Sequence, residues 1–205
     1  MKKITACLAA CLLAGSANAI VIDPDSYAAG TDISNAFSGV TLSTAFGQDP
    51  YNPTSYGSVY SVADNDATTG SNAFGQSSSN STWGNGSFEY LLVEFDTATN
   101  FVSLDFFSND SSDHNPELIA FDSLGNEIDR SSFFGAVNSS LTLSVSSAAT
   151  QIASVWAFWD ETSRGDNGGL DRLEYNAAEV SEPATLALLG LGLAGIGFTR
   201  KKKQS

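Results

Sequence analysis

From Val40 onward, short stretches of alternating apolar and polar residues are separated by turns rich in Gly, Ser, Asn and Asp. Within residues 40–46, Val40, Leu42 and Phe46 share a face at a period of two, the signature of a half-buried strand. Residues 88–95 are denser in apolar side chains, interrupted only by Glu89 and Glu94, which predicts a central strand covered on both sides. A turn over residues 96–100 leads into 101–107, where Val102, Leu104 and Phe106 lie on one face. Residues 117–122 and 127–134 flank Ser123-Leu124-Gly125-Asn126, a hairpin signal. Leu141, Leu143 and Val145 alternate with Thr142, Ser144 and Ser146. Two further strands are predicted over residues 152–159 and 170–175. In the first of these, Trp156 and Phe158 fall on one face and Trp159 on the other, so one tryptophan belongs to the core and the other faces outward.

The stretch 47–86 is different. It is poor in aliphatic residues and rich in Ser, Asn, Gly, Asp and aromatic residues, with Ser77 to Thr82 a wholly polar loop. It predicts short strands near 58–62 and 72–74 within long loops, and long loops are frequently functional. No segment between residues 20 and 180 holds a 3.6-residue apolar period over a dozen positions. Seven or eight short strands at this spacing predict an all-β fold, a single jelly-roll-like β-sandwich over residues 20–180.

Both ends carry a different pattern. Lys2 and Lys3 precede an apolar run over residues 4–14, and Ala17-Asn18-Ala19 fits small-x-small cleavage, so residues 1–19 read as a signal peptide for signal peptidase. The tetrapeptide Leu8-Ala9-Ala10-Cys11 has lipobox residue types but lies too close to Lys3 to leave room for an apolar region before it. At the other end, Ser181-Glu182-Pro183 leads into an uncharged, mostly apolar run, residues 184–199, that stops at Arg200, Lys201, Lys202 and Lys203. As a helix these 16 residues span about 24 Å, just short of a hydrocarbon core of about 30 Å. The cations hold their end at the cytoplasmic face. Gly190, Gly192 and Gly195 spell G-x-G-x-x-G, but the chain ends ten residues later and no βαβ unit follows.

Residues 181–205 resemble the PEP-CTERM sorting signal, which an exosortase recognises and cleaves. Glu182 and Pro183 match the Pro-Glu-Pro motif, and Ser181 stands where the first proline would be. The resemblance implies an exported protein, tethered transiently in the inner membrane and then released to the cell surface or exopolysaccharide matrix. It implies a structural or adhesive role there. Gly168 to Tyr175 (G-G-L-D-R-L-E-Y) resembles the closing strand of many such proteins and of secreted carbohydrate-binding sandwiches, with Arg172 replacing the usual Asn.

Composition narrows the chemistry. Cys7 and Cys11 both lie in the signal peptide, so the mature domain has no disulfide. Residues 20–180 hold three cations (Arg130, Arg164, Arg172) against 22 acids, a net charge of −19 that excludes nucleic acid as a partner. His114 is the sole histidine, sits in a Ser/Asp/Asn loop, and leaves neither a triad nor a zinc site legible, so the domain is expected not to be an enzyme. A glycosidase needs only two carboxylates, but nothing singles out a pair. Two oxygen-rich loops, one with Asp64 and Asp66 and one with Asp110 and Asp113, are candidates for calcium, although such residues also simply build turns. Tyr51, Tyr56 and Trp83 are candidates for a carbohydrate platform, with core packing the alternative for the tryptophans. A calcium-dependent or calcium-free carbohydrate-binding module is therefore the alternative to a structural matrix protein.

Overall fold

The computed structural model describes residues 19–47, 54–83, 89–108, 113–136, 140–149, 151–159 and 168–176. Its strands are β1 (Ala19–Ile22), β2 (Val40–Phe46), β3 (Ser55–Gly57), β4 (Tyr60–Ala63), β5 (Asn72–Gly75), β6 (Glu89–Thr99) and β7 (Phe101–Phe107). They continue with β8 (Asp113–His114), β9 (Pro116–Phe121), β10 (Glu127–Ser132), β11 (Gly135–Ala136), β12 (Ser140–Ser146), β13 (Ile152–Trp159) and β14 (Gly169–Asn176). Two six-stranded antiparallel sheets form a sandwich. Sheet A runs β12-β7-β14-β5-β4, with β1 also pairing β14, and sheet B runs β10-β9-β13-β6-β2-β3. The all-β sandwich expected from the alternation is the observed fold.

The period of two explains the core. Val102, Leu104 and Phe106 of β7, Leu143 and Val145 of β12, and Leu170 and Leu173 of β14 point inward from sheet A. They meet Val40 and Leu42 of β2, Leu91 and Val93 of β6, Leu118 of β9, and Val155, Ala157 and Trp159 of β13. Strand β6 is the predicted two-sided strand. Its odd positions join this core, while Tyr90 and Leu92 join a second apolar cluster on the outer side of sheet B.

Three expectations change. The expected turn over 96–100 is strand as far as Thr99, and only Asn100 separates β6 in sheet B from β7 in sheet A. That sheet switch is fixed by the Thr99 hydroxyl, which donates to the Asn176 carbonyl at 2.7 Å. The strand expected over 127–134 ends at Ser132, leaving Phe133 and Phe134 exposed beyond it. An unforeseen strand, β1, starts at Ala19 and pairs with β14 from Ala19–Asn176 to Ile22–Leu173.

The expected leader through Asn18, including Ala17, lies outside the described residues, as do Glu182, Pro183, the apolar run 184–199 and Arg200 to Lys203. Among the described residues no helix is long and apolar enough to cross a membrane.

Candidate functional site

The outer face of sheet B is built by the alternate positions of its strands. Ala45 faces Tyr56 on one side and Tyr90 on the other. Ala157 faces Leu91, which sets Phe158 beside Tyr90, and Phe158 in turn faces Glu117. One row therefore reads Tyr56, Ala45, Tyr90, Phe158, Glu117. The next reads Ser43, Leu92, Trp156, Ile119, Arg130, and a third Thr41, Glu94, Ser154, Phe121, Glu127. Four aromatic rings close over these rows. Tyr90 stacks on Trp156 with centroids 5.8 Å apart and planes at 11°, and meets Phe158 edge-on at 5.6 Å. Phe121 lies 5.0 Å from Trp156. Such pairs add about 0.5–1.5 kcal/mol each beyond the area they bury.

The layer grades from buried to open. Tyr90 is fully buried, with its hydroxyl donating to the Gly47 carbonyl at 3.0 Å, and Phe121 and Phe158 are nearly so. Trp156 is half-buried. Tyr56, on edge strand β3, is 62 % exposed. Beyond β9, on β10, Arg130 forks onto both oxygens of Glu127, Nε to Oε1 at 3.0 Å and Nη2 to Oε2 at 2.8 Å, while Nη1 bonds Glu117. An arginine held in this bidentate way is oriented as well as neutralised.

A second concavity lies at one end of sheet A. Asp64, Asp66, Ser81, Thr82, Phe107, Ser108, Gly168 and Gly169 line an open cleft of about 110 Å³. Asp64 accepts from the Asp66 amide at 2.9 Å and, from beyond β5, the Ser81 hydroxyl at 2.6 Å, so both its oxygens are engaged. The two glycines are required by packing. A Cβ on Gly169 would stand 1.9 Å from the Phe107 ring, and one on Gly168 would stand 2.0 Å from the Trp159 ring.

Next to this cleft the loop between β4 and β5 is tied to the outer side of sheet A. Asp171 of β14 is fully buried and lies opposite Asp105 of β7. Its Oδ2 accepts from the Thr69 amide at 2.7 Å, the Thr68 hydroxyl at 2.8 Å and the Thr69 hydroxyl at 3.1 Å. The Thr68 oxygen also lies 3.2 Å from Asp105, yet it has one proton to give. Burial pushes the Asp171 carboxyl above the usual carboxylate range, although donors from Thr69, Arg172 and Thr68 pull the other way.

The residues expected from sequence are placed as follows. Tyr56 is exposed at the sheet edge, and Tyr51 lies outside the described residues. Trp83 is a correction. It is fully buried in the main core, its indole N–H donates to the Phe74 carbonyl at 2.8 Å, and its backbone bridges Gly168, so its ring presents no face to a ligand. Asp64 and Asp66 share the cleft, Asp110 lies outside the described residues, and Asp113 enters β8 with its side chain outside them. Among the described residues no group of three or more His, Cys, Asp or Glu is arranged to hold a metal ion. Sequence reading did not foresee the Tyr90–Trp156–Phe121 stack or the buried Asp171. The first had a partial signal in the outward parity of Trp156 and Phe158. The second had none.

The fold has structural likenesses. A family 35 carbohydrate-binding module from Clostridium thermocellum is 11 % identical, with a TM-score of 0.41 over 79 % of this chain and 100 % of that one. The K2 cleaved adhesin domain of Lys-gingipain is 11 % identical, with a TM-score of 0.43 over 78 % of this chain and 100 % of that one. A non-crystalline-cellulose-specific module, CBM28, is 11 % identical, with a TM-score of 0.34 over 65 % of this chain and 83 % of that one. Identities and TM-scores this low transfer no ligand or activity. Comparison with curated protein sequences finds no match. Residues 179–202, however, match the PEP-CTERM protein-sorting motif. The chain thus carries a PEP-CTERM sorting signal, which marks it as an exported protein processed at the membrane by an exosortase.

Proposed function

We propose that this is a non-catalytic structural or adhesive protein of the exopolysaccharide matrix, holding polysaccharide on the outer face of sheet B. The observation that carries this reading is the aromatic layer in register across that face. It has exposed Tyr56 at one edge and the Arg130 fork at the other. Tyr56 and the half-buried Trp156 offer ring surface to the apolar faces of sugars, and the buried Tyr90, Phe121 and Phe158 hold Trp156 in place. Glu117, Glu127 and Arg130 supply the few placed acceptors and donors that orient hydroxyl groups. Strands about 4.8 Å apart make the path from β3 to β10 about 24 Å long. A path of that length suits a chain of several sugar units. The sorting signal supports the same reading, since it directs the domain out of the cell.

The test is co-sedimentation of the full chain, purified in mild detergent, with the producing cell's own exopolysaccharide. Saturable retention that falls in Tyr56→Ala is expected. Absence of retention, or retention indifferent to Tyr56, would overturn the reading.

A further inference from the structure

Resting on that reading, we infer that the polysaccharide held by sheet B is uncharged rather than acidic. A polyuronate or sulfated glycan needs cations that are free to pair with it. Within the registered rows of the outer face the charged residues are Glu94, Glu117, Glu127 and Arg130, a local balance of −2. Arg130 is already committed, with its fork on Glu127 and its remaining guanidinium nitrogen on Glu117. Among the described residues the other cation is Arg172, on sheet A, and it pairs with Glu174 at 2.7 Å. The whole of residues 20–180 carries −19. At low salt that charge repels a polyanion at long range. At about 0.15 M, where fields die within about 8 Å, the nearest groups decide, and they too are negative in sum.

The same arrangement suits a neutral chain. Paired carboxylates keep lone pairs available to sugar hydroxyls, which are donors that an anionic polymer carries in smaller number. Arg130 stands in the same registered row as Trp156, with Ile119 between them. Glu117 and Glu127 thereby act as a charge filter on what the aromatic face accepts.

The experiment splits the producing cell's exopolysaccharide on an anion exchanger into neutral and acidic fractions. Each is tested for co-sedimentation with the full chain in chelator, at about 0.01 M and about 0.15 M salt. Retention by the neutral fraction at both salts, with the acidic fraction at least about tenfold weaker, is expected. Retention by the acidic fraction equal to or above the neutral one would overturn the inference and leave polysaccharide binding standing. Retention by neither fraction would instead overturn the binding reading itself. A second arm uses Glu117→Gln with Glu127→Gln, which frees Arg130. Acidic-fraction retention should rise at about 0.15 M salt, where the nearest groups decide, and stay weak at about 0.01 M, where the domain's net negative charge still repels it, with the melting profile checked to be that of a folded sandwich. No gain of acidic binding in a folded double variant would count against the filter.

Discussion

Asp171 offers a sharp test of how the loop between β4 and β5 is held. It is a fully buried carboxylate whose two oxygens accept from the Thr69 and Arg172 amides and from the hydroxyls of Thr68 and Thr69. In Asp171→Ala two backbone N–H groups lose their acceptor, at about 1–3 kcal/mol each. The hydroxyls can turn elsewhere, and removing a buried acid opposite Asp105 returns part of the loss, so a net destabilisation of about 3 kcal/mol is expected. Asp171→Asn keeps one carbonyl and leaves about one donor unpaired, for about 1–2 kcal/mol. The pH dependence gives the sign. Burial raises the folded-state value of Asp171 above 3.8, so the folded chain holds this proton more tightly than the unfolded chain. Its contribution is then fully present below 3.8 and is lost as pH climbs through the raised value. Urea denaturation followed by tryptophan fluorescence measures both. The stability gap between wild type and Asp171→Asn should narrow as pH rises from 3.8 upward. A gap that widens with pH would mean that the ionised carboxylate is the stabilising form, which would refute the argument.

Three further outcomes follow from the packing and the sorting signal. Gly169→Ala forces a methyl into the buried Phe107 ring and should lower stability by about 1–3 kcal/mol, seen as a lower melting temperature, whereas Gly125→Ala, with open space at its Cβ, carries only the strain of a φ of +81°. Trp83→Ala should cost about 3–5 kcal/mol through the cavity it leaves in the core; a mutant that melts like wild type but loses polysaccharide binding would put the ring back at the surface. Glu182→Ala with Pro183→Ala should leave the chain uncleaved in the membrane fraction, and unchanged release would remove the processing role from those residues.

The strands were legible wherever a period of two met turn residues. Residues 40–46, 101–107 and 152–159 coincide with β2, β7 and β13, and the outward parity of Trp156 was readable before its neighbours were known. The site was legible only in part, because its members come from strands distant in sequence. Nothing local says that Phe121 and Tyr90 flank Trp156; the β9-β13-β6 order does. The burial of Trp83 was not legible because it lies among Ser, Asn and Gly with no alternation, and its backbone partner is Gly168, more than eighty residues away. Asp171 looks like an ordinary surface acid in sequence. Only the loop that crosses it, presenting Thr68 and Thr69, makes it a buried anchor.

The most direct measurement of the central claim is the affinity of the full chain for the neutral exopolysaccharide fraction in three forms: wild type, Tyr56→Phe and Tyr56→Ala. At 62 % exposure on an edge strand, Tyr56 can be changed with little effect on the fold. If sugar rings stack on it, the Phe variant should stay within about threefold of wild type and the Ala variant should weaken by about tenfold, or about 1.4 kcal/mol. Equal affinities for all three would contradict polysaccharide binding at Tyr56 on this face.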